Sequence, residues 1–463
     1  MARYMKILQI FLILVFVQHI HAQTESEGLL TLHDCINIAL NNNSTLKTIK
    51  YAEESAGMDV LSSYSGILPN VTVSAGRSEV VTGPAEYLSN EPVGFDSTTG
   101  NVIYELRTRS TSKSTRQSTV ASLDINQNIF DGGNWWNQIR KANADKRSAE
   151  FNLASQKDNT ILQVEQAYFN LLAQIKLLEV NELAVGRSQK QLDRAEKMYE
   201  LGATAKLDVF RARVNLGNDR IAFMNQKNLL SQSEKDLNLV MGRDPFEPLD
   251  VEIEVNLDKS LPNVDEMIET AFENQPLLKK NEQDVKSSDL SVSLASGVIY
   301  PRLYAYMSYN RFHEKEKKVF SDFDQNYQTQ FGVRLSLNIF NGFNDYTGVQ
   351  KARIGRRNAQ ENFEEYKRNL KSAIHNYYED YQTTMDKIEI YKDNLEAAQE
   401  EHRLAEERYQ VGAGTSLDVR EAQVNLTRAE QMLVAEQFSA RIIAAQLDNQ
   451  LGLSYAVFQE SYK

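Results

Sequence analysis

Residues 194–216 read RAEKMYELGATAKLDVFRARVNL and residues 404–426 read LAEERYQVGAGTSLDVREAQVNL, an alignment without a gap at an offset of 210. Self-similarity at a fixed offset marks the chain as a duplication and sets the frame for every other motif. The same offset pairs Asn128-Ile129-Phe130 with Asn338-Ile339-Phe340, Val164, Tyr168 and Glu179 with Ile374, Tyr378 and Glu389, and Leu237 and Gly242 with Leu447 and Gly452. Further upstream the offset is 232, matching Ala39, Asn42 and Leu46 to Ala271, Asn274 and Leu278, and Pro69 to Pro301. The first copy therefore carries 22 extra residues between Pro69 and Asn128. They fall in the Ser/Thr-rich stretch Thr82 to Thr119, whose composition predicts a long polar loop.

The eight prolines leave residues 132–244 and 302–463 free of proline. Interior proline breaks helices, so both stretches permit very long ones. Val164, Tyr168, Leu171, Ile175 and Leu178 alternate at spacings of four and three, as do Ile374, Tyr378, Tyr381, Met385 and Ile388. These are coiled-coil seams. One helix over 134–200 would reach roughly 100 Å at about 1.5 Å per residue.

Between each proline and each Asn-Ile-Phe the period switches to two. Phe331, Val333, Leu335, Leu337 and Ile339 alternate with Gly332, Arg334, Ser336 and Asn338, and Leu123, Ile125 and Ile129 alternate with Asp124, Asn126 and Asn128. Val71, Val73 and Ala75 begin the partner strand of the first hairpin, and Leu303, Ala305, Met307 and Tyr309 mark that of the second. Residues 331–339 give nine positions, within the roughly 9 to 11 that a tilted strand needs to cross an outer membrane. Two readings fit: a membrane-spanning sheet, or a soluble two-hairpin sheet covering a helical core. In the first, four strands cannot close a barrel, since the smallest use about eight, so several copies must share one. Two copies would give eight strands and three would give twelve. Phe130, Trp135, Trp136, Phe340, Phe343 and Tyr346 cluster where strands meet helices. That is the place of a membrane-interface girdle, and also of ordinary junction packing.

The 463 residues carry 51 basic and 63 acidic side chains, a formal charge of −12, which disfavours a general nucleic-acid-binding role, and no nucleic-acid partner is expected. Cys35 is the one cysteine, which removes disulfide and cysteine–metal frameworks. The run Ile7 to Val17 follows Arg3 and Lys6 and precedes Ala22-Gln23. It is too short to span a bilayer and has the form of a secretory signal peptide over residues 1–22. Because residue 23 is Gln, no lipid anchor is expected. Of six histidines, none forms an HExxH pattern; no Walker or Rossmann glycine loop and no G-x-S-x-G occurs. The chain is expected to be no enzyme and to need no cofactor or resident metal.

Together the export signal, the two repeats, the AL-x-x-N and A-F-x-x-N-x-P segments at 39 and 271, the N-I-F-[DN]-G corners and the doubled Y-x-x-G-x-x-x-x-L-D-V segment resemble the TolC family of outer-membrane efflux proteins. The resemblance implies an α+β membrane protein: a homotrimer whose four strands per protomer close a twelve-stranded β-barrel, with a long coiled-coil α-helical barrel in the periplasm. It implies a passive export duct of a tripartite efflux or type I secretion system. The partners would be outer-membrane lipid, a periplasmic adaptor and an inner-membrane pump of resistance-nodulation-division or ABC type. The location would be the outer membrane of a Gram-negative bacterium, reaching into the periplasm. On this reading the first repeat spans 23–245, with a hairpin about 70–131 and a helix-pair tip about 199–209. A linker at 246–263 leads to the second repeat, 264–455, with a hairpin about 302–340 and a tip about 409–419, and then to a tail at 456–463. The contrasting class is a soluble periplasmic coiled-coil scaffold or adaptor.

By the same resemblance, the turns Tyr199 to Val209 and Tyr409 to Val419 are periplasmic tips that close the duct at rest and meet the adaptor. Tyr409, Asp418 and Glu421 match a tyrosine and two acids that hold or line the closed entrance, and Asp208 matches their partner. Gly414 stands where the well-known member has a bridging arginine, so the resting lock here is expected to be weaker or differently built. Asp418 and Glu421 from several copies would form a cation ring. The spacing of Thr415 and Asp418 equally predicts a capping box. Gly202 and Gly412 supply the positive φ that a tight turn between long helices needs.

Overall fold

The computed structural model describes residues 29–253 and 261–460. The expected signal peptide lies outside the described residues. The chain divides into two compact units, one of Met1–Glu53, Glu150–Lys280 and Glu364–Lys463, the other of Glu54–Ala149 and Asn281–Phe363.

The duplication governs element lengths. Helix α1, Leu32–Asn42, and its counterpart α5, Val264–Asn274, have 11 residues each. Then come α2, Ser44–Ser63, and α6, Pro276–Gly297. The long helices α3, Asn134–Glu200, and α8, Asn344–Gln410, each run 67 residues. Their return helices α4, Lys206–Met241, and α9, Ser416–Leu451, each have 36. The corner motif explains where the long helices start. Asp131 Oδ2 accepts the Trp135 N–H at 3.0 Å, and Asn341 Oδ1 accepts the Asp345 N–H at 3.3 Å. Each satisfies a backbone donor that a first helical turn leaves open.

In the first unit the seam positions are the core. Val164, Leu171, Leu172, Leu237 and Met241 are 1% exposed or less and pack with Cys35 and Ala39 of α1. Ile374, Leu370 and Leu447 do the same with Met267 and Ala271 of α5. Burial, with a smaller push from Asp34, raises the Cys35 thiol to about 12, leaving it an inert packing group.

The second unit holds the sheet, in the order β1-β4-β5-β6 with β1 Asn70–Thr82, β4 Ser114–Phe130, β5 Arg302–His313 and β6 Tyr327–Ser336. Every neighbour pair is antiparallel. Register places like with like across all four strands. Val71–Ile125–Met307–Phe331 form one row, and the adjacent Thr72–Asp124–Ser308–Gln330 row faces the other way. One face is apolar near the helix end and the other polar.

Two expectations need correction. Thr82 to Thr119 is no loop, since β2, Ala85–Phe95, and β3, Val102–Thr111, pair as a two-stranded ribbon with an irregularity at Pro92/Gly94. The Ser and Thr residues hid strand alternation, and the true turn is short, with Asp96 accepting from Thr98 and Thr99. Strand β6 stops at Ser336 rather than near 339. Ser336 pairs with Arg302, the first residue of β5, and Leu337 onward has no strand beside it. In the described part of the linker Val251 bridges Leu30 and Tyr168 Oη donates to the Glu252 carbonyl at 2.6 Å, and helix α10 covers Ser454–Glu460.

Candidate functional site

Both helix turns are built alike. After α3, the Ala203 N–H reaches the Met198 carbonyl at 2.8 Å and Gly202 sits at φ +73°. After α8, the Ala413 N–H reaches the Arg408 carbonyl at 2.9 Å and Gly412 sits at φ +76°. A side chain at either glycine would enter the left-handed region at a cost of about 1–2 kcal/mol.

The carboxylates of the two turns serve different ends. Asp418 closes the capping box: its Oδ2 accepts the Thr415 N–H at 2.9 Å and its own N–H donates to Thr415 Oγ1 at 3.2 Å. Hydrogen bonding to the carboxyl from the Thr415 backbone, and less from its side chain, holds it below its ordinary range. Glu421 is exposed on the following turn. Asp208 reaches across. Its Oδ2 accepts from Thr204 Oγ1 at 2.9 Å, its Oδ1 accepts from Ser416 Oγ at 3.1 Å, and Arg211 Nη1 lies 3.7 Å away. Asp208 thus joins the first turn to the second through Ser416, a partner that repeat alignment does not reveal.

Tyr409 is 7% exposed and its hydroxyl has no hydrogen-bond partner. Burial raises its pKa, Asp208 adds to the shift and Arg194 opposes it. Tyr409 thus lies close enough to Asp208 for that carboxylate to oppose its ionisation, without a hydrogen bond between them. At Gly414 a Cβ would come within 3.2 Å of Arg408 Cβ, and Arg408 itself donates from Nη2 to the Ala413 carbonyl at 3.2 Å. Tyr199 is partly exposed among the more open Leu201, Val411 and Leu417, an apolar rim on the turns.

Sequence reading missed the polar clamps above the turns. Arg420 of α9 makes two hydrogen bonds to Asp219 of α4, at 2.7 and 3.0 Å, and a third to Ser188 of α3 at 3.2 Å. Arg187 of α3 makes two to Glu430 of α9, at 2.8 and 3.1 Å, and one to Thr427 at 3.0 Å. All four ionic side chains are at most 22% exposed. A signal existed: at the 210 offset the positions opposite Arg420, Asp219, Arg187 and Glu430 hold Phe210, Ala429, Ala397 and Arg220. The repeats diverged there into complementary charges.

The junction aromatics are gathered in the second unit. Trp135 and Trp136 meet edge-on at 5.7 Å, as do Phe340 and Phe343 at 5.5 Å. Phe130, Trp136, Phe340, Phe343 and Tyr346 are 45–70% exposed. Phe343 takes φ +68° where the first repeat has Gly133 at +80°. The apolar sheet face is uncovered as well, with Val73 at 77%, Phe331 at 82% and Leu335 at 68%. Among the described residues, no helix is long and apolar enough to cross a membrane, and no group of three or more His, Cys, Asp or Glu could hold a metal ion. A ring from Asp418 and Glu421 would need several copies.

Comparison with known proteins agrees with this geometry. The sequence is similar to the probable efflux pump outer membrane protein TtgC of Pseudomonas putida, 21% identical over 300 residues, 63% of this chain and 60% of TtgC. This chain thus aligns with less than two thirds of that relative's length. Outer membrane protein TolC of Vibrio cholerae is 22% identical over 433 residues, 91% of this chain and 90% of TolC. The fold matches that of the Campylobacter jejuni CmeC outer membrane channel with a TM-score of 0.73 at 16% identity, covering 96% of this chain and 94% of CmeC. The sequence profile described as outer membrane efflux protein matches residues 35–243 and 267–453, and the chain belongs to that family.

Proposed function

We propose that three copies of this chain form a passive export duct in the outer membrane of a Gram-negative bacterium, extending into the periplasm. The observation that carries this reading is the sheet. Toward its helix end its uncovered face is apolar across all four strands, and its two edges, β1 and β6, run in opposite directions. The β6 edge of one copy can therefore pair antiparallel with the β1 edge of the next until no edge faces lipid, the condition for a spanning sheet. Two copies would give eight strands, an interior that side chains fill. Three give twelve and leave a lumen lined by Thr72, Asp124, Ser308 and Gln330. A soluble scaffold or adaptor would have no use for such a face.

The turns around Gly202 and Gly412 are the periplasmic entrance. Tyr199, Asp208, Tyr409 and Gly414 belong to its resting closure and its contact with an adaptor, which joins the duct to an inner-membrane pump of the resistance-nodulation-division or ABC type. No catalytic step is involved. Around a threefold axis Asp418 and Glu421 would place six carboxylates together, and like charges at such spacing repel unless a cation intervenes. Planar-bilayer recording tests this. Resting conductance should be low, should fall further with divalent cations on the periplasmic side, and should lose that block in Asp418→Ala combined with Glu421→Ala. An unchanged block in the double variant would assign Asp418 to helix capping alone.

A further inference from the structure

We propose that the loop at 314–326 is a second membrane anchor, seated in the lipid headgroup boundary at the outer rim of the apolar sheet face. The proposal rests on the sheet being embedded in lipid. The loop joins β5 to β6 and contains a single helical turn, α7, Glu316–Val319. It does not extend outward but folds back onto one face of the sheet. Arg311 is the latch: it is 2% exposed, and its Nη2 donates to the carbonyls of Ser321 at 2.6 Å, Asp322 at 2.9 Å, Lys318 at 3.2 Å and Gln325 at 3.3 Å. Its guanidinium also lies 4.5 Å from the centre of the Phe323 ring. Glu316 of the loop pairs with Arg77 of β1 at 3.3 Å, and Val319 is 1% exposed beneath it.

Register says which face this is. Arg77 pairs with Thr119 and Thr119 with His313, while Arg311 lies two residues from His313 on the same side. Continuing in steps of two, that side passes through Tyr309 and Met307 to Leu303, the apolar face. The loop is therefore fixed on the lipid side. It presents Phe320 and Phe323 at 57% and 67% exposure, next to Tyr327, which stacks on Tyr309 at 5.9 Å. Lys315, Lys317 and Lys318 are exposed beside them, able to extend their ammonium groups to the polar side of a headgroup layer.

Spacing fits two rims of one membrane. Leu303 pairs with Phe130, level with the junction aromatics, and Arg311 stands eight residues further along β5. That is roughly 27 Å along the strand and roughly 20 Å in height at the usual tilt, near the ~25 Å apolar band between aromatic girdles. Aromatic rings favour such a boundary because one side of it is apolar and the other wet.

The test uses the full-length trimer in proteoliposomes, labelled with an environment-sensitive fluorophore at a single introduced cysteine, since the buried Cys35 does not compete for the label. In Phe320→Cys, lipids carrying a nitroxide at the headgroup should quench the label at least fivefold more than in Leu106→Cys, on the β2–β3 ribbon. A nitroxide deep in the acyl chain should quench it less. Adding Arg311→Met should lower the Phe320 quenching at least twofold while the trimer still forms. Equal quenching at Phe320 and Leu106, or no change on adding Arg311→Met, would overturn the anchor. A label at Phe331→Cys separates the two levels: deep quenching there with none at Phe320 rejects the anchor alone, whereas none at either rejects the embedded sheet and the anchor with it.

Discussion

Arginine placed at Phe331 should damage assembly far more than arginine at Leu335, although both side chains lie on the apolar face. Leu335 pairs with Leu303, level with Phe130 and the inner aromatics, and Tyr327 pairs with Arg311 at the opposite rim. Phe331 stands four residues from each, roughly 13 Å along the strand from either boundary. A guanidinium on the lipid face costs about 2–4 kcal/mol at the midplane and about 0–1 near an interface. At about 1.4 kcal/mol per factor of ten, Phe331→Arg should lower the equilibrium constant for assembly in the membrane by roughly 30- to 700-fold, and Leu335→Arg by no more than about fivefold. Gln330→Arg, on the polar face one residue away, should assemble normally. Trimer yield after outer-membrane extraction, scored by heat-dependent mobility in SDS, measures all three. Equal tolerance of Phe331→Arg and Gln330→Arg would refute the assignment of faces.

Asp158 gives a pH-dependent expectation. It is 4% exposed and accepts the Tyr455 N–H at 2.9 Å, and burial raises its carboxyl to about 6, against opposing effects of that hydrogen bond and of Lys157. An acid whose folded pKa is raised stabilises the fold below its unfolded pKa near 4, and that contribution is lost as pH rises to about 6. Asp158→Asn keeps an acceptor without the charge, so it should gain about 1–3 kcal/mol at pH 7.5 and nothing below pH 4 in thermal unfolding followed by circular dichroism; a loss at pH 7.5 would contradict this. At the tip, Tyr409→Phe removes a buried hydroxyl that makes no hydrogen bond, so stability should hold or rise by up to about 1 kcal/mol. Asp208→Ala removes the acceptor shared by Thr204 and Ser416 and should cost about 1–2 kcal/mol. Each should raise resting conductance only several-fold, and full opening by either alone would show that the closure depends on it.

What was legible in the sequence followed from local rules and repetition. Absence of proline over 132–244 and 302–463 and the four-three spacing announced long helices in both repeats, and α3 and α8 lie within those stretches. The β2–β3 ribbon was missed because residues such as Ser89 and Asn90 mimic loop composition, while the strand state depends on a partner about twenty residues away. The end of β6 was missed for the same kind of reason. Leu337 and Ile339 continue the alternation, but β5 begins at Arg302 and offers nothing to pair with. At the tip, short spacing located the Thr415–Asp418 capping box, whereas Tyr409 and Asp208 were singled out by the family resemblance alone. The Asp208–Ser416 bond and the Arg420–Asp219 and Arg187–Glu430 clamps join residues roughly 200 or more apart and break the repeat symmetry, so no local pattern announces them.

The most direct test of the central claim is the number of chains in the particle taken intact from the outer membrane. Native mass spectrometry in mild detergent should find three copies, sensitive to heat or SDS, because one copy leaves the β1 and β6 edges open and two leave no lumen. A monodisperse, fully folded single chain from the same membranes would contradict it.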